Sequence, residues 1–249
     1  MEKRTDKNSY TLFFAVAMVV VVGTLLASLA SGLKPTIDEN RRLEKQQNIL
    51  YAMGVNENEG TSANFVSTTK APELFEKHIT KQLVIEGDKI TEDDQAYLID
   101  VKKEQASAKA GNVRRLPLFV GEKDGVTYYI APIRGKGLWD AVWAYISMDE
   151  NMVIQGAYFD HQGETPGLGA NIKERYFMDD FIGEHLLSPT GEFKGVAVSK
   201  SNNDPKNENK TDNAVDAIAG ATITGDGVAA MIKNDLKLYV PYFENLKKN

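Results

Sequence analysis

Two short stretches of this 249-residue chain gather the residue types that could hold a chemical group. The first is Asp216-Ala217-Ile218-Ala219-Gly220-Ala221-Thr222-Ile223-Thr224. Gly220 and Ala221 leave space beside the Thr222 hydroxyl for something bulky to approach the backbone. Thr224-Gly225-Asp226-Gly227 then leads into the apolar run Val228-Ala229-Ala230-Met231-Ile232, which reads as a helix start with Thr224 as its N-cap. The unpaired N–H groups and partial positive charge of a helix N-terminus suit a phosphate. The second stretch is Glu164-Thr165-Pro166-Gly167-Leu168-Gly169. Pro166 stiffens it, and Gly167 and Gly169 let the backbone come close to a flat ligand. Plain structural turns built from small residues would account for both stretches as well.

Other constellations carry less. Asp160, His161 and Glu164 are close enough in sequence to suggest a metal site, but their spacing matches no established ligand motif, and a polar loop is the simpler reading. There is no Gly-x-Ser-x-Gly elbow and no Ser–His–Asp set, so a hydrolase has little support. Gly135-Lys136-Gly137-Leu138-Trp139 lacks the surrounding βαβ pattern of a dinucleotide fingerprint. Cysteine is absent, which excludes disulfides, thiolate-bound zinc and cysteine-held iron–sulfur clusters. Redox chemistry would therefore come from an organic cofactor or from a metal held by oxygen and nitrogen. A net charge of −6 without a basic stripe gives no footprint for nucleic acid.

The first stretch resembles the flavinylation motif Asp-x-x-(Ser/Thr)-Gly-Ala-Thr, whose last threonine carries FMN through a phosphoester bond. Asp216, Gly220, Ala221 and Thr222 match it, while Ala219 stands where the family prefers a hydroxyl residue. Glu164–Gly169 matches a second family motif in the family's order, and the turn at 135–139 resembles one that recurs in FMN-binding domains. Together they resemble the FMN-binding-domain family that includes the C subunit of the sodium-translocating NADH:quinone oxidoreductase of bacterial membranes. The resemblance runs from the N-terminal hydrophobic segment to the C-terminal helix.

That resemblance implies FMN attached covalently to Thr222 and an isoalloxazine lying against the loop of Glu164, Thr165, Gly167 and Leu168. Backbone near Thr165 and Leu168 would bond the ring's polar edge. Gly220, Ala221 and Thr224 would complete the site, and Lys200 would approach the phosphate unless it is an ordinary solvated strand-end lysine. The implied role is an electron relay, without independent catalysis, in a complex that passes electrons from NADH to quinone and exports sodium. The implied partners are the other subunits, a flavin transferase that attaches the FMN, and the lipid bilayer. The flavin subunit of the related ferredoxin-linked Rnf complex shares both motifs and stays open as an alternative, as does a non-redox anchored interaction protein.

The elements that must position these residues form an α+β chain on one N-terminal transmembrane helix. Residues 1–10 read as a cytoplasmic tail bearing Lys3, Arg4 and Lys7, and 11–33 as an uncharged span. Roughly 20 apolar residues cross a bilayer, so the span is long enough. The basic residues before it place the main domain on the periplasmic side of an inner membrane; a cleaved signal peptide ending near Ala30 competes. Residues 34–115 read as an exported helical and mixed region, and 116–249 as the FMN-binding domain. Thr36-Ile37-Asp38-Glu39 has capping-box spacing and predicts a helix to about Met53, with Gly54 as its stop. Pro72 opens a second helix whose apolar face runs through Leu74, Phe75, His78, Ile79 and Leu83, with His78 a packed structural residue. Residues 91–111 resist assignment.

From Leu116 the pattern turns to strands at 117–120, 125–133, 138–147 and 152–158, spaced for hairpins and hence for a largely antiparallel sheet flanked by helices. A short helix over 171–182, a strand over 192–200 and a solvated loop over 201–213 follow. The last helix is expected from about Asp226, with Pro241 kinking or ending it.

Overall fold

A computed structural model describes residues 8–202 and 204–248. The basic tail at residues 1–7 lies outside them. The chain divides into two units, Met1–Arg42 and Leu43–Asn249.

Helix α1 runs unbroken from Asn8 to Ala52 with Pro35 inside it. The capping box at Thr36–Glu39 therefore starts nothing. A proline interrupts one backbone hydrogen bond, and here the apolar run on one side and the charged, helix-favouring run on the other carry the helix across it. Within the first unit the uncharged stretch is exposed at every residue but Ala17, which is half-buried, and α1 is the one helix among the described residues long and apolar enough to cross a membrane. Its last turns belong to the second unit, where Ile49, Leu50, Tyr51 and Ala52 are buried. The helix stops as expected at Gly54, whose φ of 76° permits the closing bonds Gly54 N–H to Tyr51 C=O and Val55 N–H to Leu50 C=O, both 2.9 Å.

Helix α2 spans Ala71–His78, with Pro72 in its first turn as the sequence suggests. It is shorter than expected: Ile79–Glu86 is strand β1, so Ile79 and Leu83 face the core from a sheet. Spacings of three and four fit the helix, but the buried run Leu83-Val84-Ile85 is too β-branched to prolong it. His78 is structural, its Nδ1 lying 3.0 Å from the Glu122 carbonyl. The segment the sequence left unassigned holds the end of β2 (Lys89–Glu92), a 3₁₀ turn at Ala96–Leu98 and α3 (Val101–Lys109). Asp100 caps α3, its carboxylate accepting from Lys102 N–H and Lys103 N–H.

Strands β3 (Arg115–Lys123), β4 (Val126–Lys136), β5 (Ala141–Met148) and β6 (Ile154–His161) continue the sheet as a meander. The order is β2-β1-β3-β4-β5-β6, antiparallel at every pairing. Residues 138–140, expected in a strand, instead form the β4–β5 turn. The core holds Phe119, Ile130, Ile146 and Phe159 from the sheet, and Val228, Met231, Tyr239 and Phe243 from the C-terminal helices. Burying each such side chain contributes roughly 1.5–3 kcal/mol. The end of α1 seals one face: a Cβ on Gly156 would collide with the Ala52 carbonyl oxygen.

After β6, a 3₁₀ turn at Gly169–Lys173 leads into α4 (Arg175–Asp180), whose Phe177 clusters with Phe159 and Phe181, while Tyr176 stays exposed. The expected strand over 192–200 shrinks to β7 (Ala197–Val198), paired in parallel with β8 (Ala214–Val215). Helix α5 spans Thr222–Met231, a π-turn follows at Ile232–Leu236 and a 3₁₀ turn at Lys237–Tyr239, and α6 covers Val240–Leu246. Pro241 lies in the first turn of α6, where its missing N–H costs nothing, so it opens this helix and ends none.

Candidate functional site

Three segments distant in sequence converge on the Glu164 side chain, which is buried. Its Oε1 accepts the Trp139 backbone N–H at 2.9 Å, and its Oε2 accepts the Thr224 hydroxyl at 2.5 Å. The β4–β5 turn, the loop after β6 and the first turn of α5 are thus tied by one carboxylate. Two glycines make room for it. A Cβ on Gly137 would stand 2.6 Å from Glu164 Oε1, and one on Gly169 would stand 2.5 Å from both Glu164 Oε2 and Thr224 Oγ1. The indole N–H of Trp139 also donates to Thr165 Oγ1 at 3.1 Å, fixing the turn against the loop a second time.

This overturns the reading of Thr224 as an N-cap. Helix α5 starts three residues earlier, with Ala221 at the cap position, Thr222 first in the helix and Thr224 a buried third residue. A buried carboxylate acceptor is worth more to that hydroxyl than a capping bond. The Thr222 side chain is exposed in the first turn. The first bond of the helix runs from Gly225 N–H to Ala221 C=O, so the N–H groups of Thr222, Ile223 and Thr224 have no carbonyl within the helix to bond.

The two motif stretches touch. Gly220 has φ of 69°, and a Cβ there would meet Leu168 Cδ2 at 2.7 Å. Thr165–Leu168 is a tight turn, with Leu168 N–H and Ala170 N–H both donating to the Thr165 carbonyl. Gly167 has φ of 76° but open space where a Cβ would lie, so its need is conformational and not one of contact. Leu138, Trp139, Leu168 and Ile223 expose apolar surface on these same loops. Lys200 is solvated, its Nζ 3.9 Å from Asp226 Oδ2 on α5.

Asp216 is set from below. Its backbone N–H donates to Asp180 Oδ2 at 3.0 Å, and burial, with Asp180 and Asp204 nearby, raises its carboxyl above the ordinary value. The loop 201–213, expected to be solvated, is anchored here: Asn207 is buried, and both its amide and the Lys210 ammonium donate to the Asp180 carbonyl. The Asp160-His161-Glu164 group is bonded within itself except at His161 Nε2, which is buried without a hydrogen-bond partner among the described residues. Asp160 accepts from Tyr158 O–H and His161 N–H, and His161 Nδ1 accepts from Glu164 N–H, leaving the ring proton on Nε2. No group of three or more His, Cys, Asp or Glu able to hold a metal occurs among the described residues.

The turn residues Gly137 and Trp139 were not among the site residues expected from sequence. Their signal was the Gly-x-Gly-x-Trp turn itself, noted as similar to one in FMN-binding domains.

Residues 137–237 match the model of the FMN-binding domain family. The C subunit of the Na(+)-translocating NADH-quinone reductase from Pseudomonas aeruginosa is 30% identical over 241 residues, covering 90% of this chain and 89% of that one. The crystal structure of the same subunit from Parabacteroides distasonis superposes with a TM-score of 0.71 at 36% identity, covering 85% of this chain and 96% of that one. The chain belongs to the C-subunit family of Na(+)-translocating NADH-quinone reductases. The Vibrio anguillarum C subunit is 28% identical over 246 residues, covering 92% of this chain and 90% of its own. The matched FMN-binding region begins at Gly137 and takes in the turn, the loop and the first turn of α5, so every segment held by Glu164 lies within the part of the chain that matches that domain.

Proposed function

We propose that Thr222 carries FMN through a phosphoester bond to its hydroxyl, and that this C subunit relays electrons through it within a Na(+)-translocating NADH-quinone reductase complex. The observation that carries the reading is an exposed Thr222 hydroxyl at the start of α5, beside the Thr165–Leu168 turn that the Glu164 carboxylate locks to it. The residues present fit the group. The N–H groups of the first turn of α5 suit the phosphate, and Gly220 and Ala221 leave its approach open. Leu138, Trp139, Leu168 and Ile223 offer apolar surface for the ring. FMN, when bound, supplies reversible one- and two-electron transfer. The protein's part is to fix the attachment point and to set the dielectric and hydrogen bonding around it. Covalent attachment keeps the site filled at any flavin concentration, which allows it to stay open to a partner. It also requires a flavin transferase acting on the folded exported domain.

The apolar helix α1 anchors the subunit to the membrane, and we place the main domain on the periplasmic side. The relatives named above bear the name of the sodium-translocating reductase, which favours that complex over the ferredoxin-linked one. Intact mass and peptide mapping of the native protein test the linkage. The expected result is one FMN adduct, mapped to Thr222, lost in Thr222→Ala and partly retained in Thr222→Ser with the fold intact. An adduct mapped to Thr224, or an unmodified native chain, overturns the assignment.

A further inference from the structure

A cleft of about 590 Å³ opens between α3, the end of β4 and the π-turn at Ile232–Leu236. Its floor is the ion pair of Arg114 and Asp235, joined by two bonds of 2.7 and 3.1 Å; Asp235 also accepts the Arg134 backbone N–H. Each charge of that pair neutralises the other. The remaining charged lining is three cations, Lys109, Arg134 and Lys136, against Asp140 alone. None of the three cations has an ion-pair partner among the described residues. The cleft's lining is opposite in sign to the chain's net charge of −6. Its rim includes Trp139, whose indole N–H reaches Thr165 and so borders the proposed flavin site as well. Basic cleft and flavin site share one wall.

We propose that this cleft docks an acidic segment of a partner subunit of the reductase complex. The inference rests on the flavin reading for its purpose: a partner held here lies against Trp139, beside the group through which electrons pass. Charge complementarity chooses the occupant, since exposed lysines and an arginine around an open cleft attract carboxylates and steer their approach. The family supplies the setting, a protein that works among other chains.

The test uses the purified assembled complex. Zero-length carbodiimide cross-linking followed by peptide mapping is expected to join Lys109 or Lys136 to an Asp or Glu of another subunit. A Lys109→Glu/Lys136→Glu double variant is expected to keep the fluorescent flavin band in denaturing gels. It should lose about tenfold or more in quinone-reductase turnover at low ionic strength, or fail to co-purify with its partner, while Lys109→Arg/Lys136→Arg behaves as the wild type. Overturning results are the absence of such cross-links together with unchanged turnover of the reversed variant. Micromolar binding of inorganic pyrophosphate to the isolated chain, abolished by the same variant, would also overturn the proposal by making this a small-anion site. A wild-type chain without the flavin band fails the flavin reading instead, and the cross-link map still decides the docking.

Discussion

Glu164 is the residue on which the site turns, and its neighbours can be varied one at a time. Replacing Thr224 by Val keeps the shape and removes the hydroxyl, leaving Glu164 Oε2 buried without its donor. The expected cost is about 1–3 kcal/mol in denaturant unfolding, with the flavin still attached to Thr222. Loss of the adduct in that variant would mean that Thr224 is the acceptor. The glycines separate conformation from contact. Gly169→Ala forces a methyl against both Glu164 Oε2 and Thr224 Oγ1, so about 1–3 kcal/mol of stability and much of the flavin loading should go. Gly167→Ala meets no atom and pays only for its positive φ, so its loading should exceed that of Gly169→Ala; the reverse order, read by in-gel fluorescence, would refute the contact argument. Thr222 stands out in the sequence as a candidate because a four-residue match is local. The bonds from Trp139 and Thr224 to Glu164 were not, because partners 25 and 60 positions away are chosen by the sheet that brings them together.

At the scale of elements, the loop 201–213 hides a titration. Glu184 follows α4, fully buried, and its carboxylate oxygens make no hydrogen bond of ordinary geometry, although the Asn207 amide lies near enough to favour the charged form. Burial drives its carboxyl up to about 7, against the pull of Lys210 at 3.9 Å and with Asp212 and Asp180 adding to the rise. The folded chain therefore holds this proton more tightly than the unfolded chain, whose value is 4.5. The associated stability is present below about 4.5 and is lost as pH rises through about 7. Glu184→Gln should consequently be more stable than the wild type at pH 8, by on the order of 1–3 kcal/mol, and converge with it near pH 5. Equal stabilities at pH 8 would show that the carboxylate is not held in this way. The sequence showed this loop only as polar; what buries Asn207 is the Asp180 carbonyl, a contact with no periodic signature. The meander β3–β6 was readable because each strand is β-branched or aromatic and its turns are short. Strand β1 was not, since Leu74, Phe75 and His78 set a helical spacing that runs on into it.

For the whole molecule, α1 and the folded body set the topology. A reporter fused at the C-terminus should be active only outside the cytoplasm, and the domain should resist protease added to inverted vesicles; digestion there would reverse the orientation. The mounting of α5 bears on how such a body works. A Cβ on Gly227 would collide with the Lys136 carbonyl, one on Gly225 would press on Val198, and one on Gly135 would press on Met231. With backbone and side chains in contact on these sides, the helix has no slack in which to slide or roll. A group borne on Thr222 then swings only about the few single bonds of its own tether. Its reach is a short arc drawn from a fixed pivot, so any redox centre beyond that arc has to travel to it.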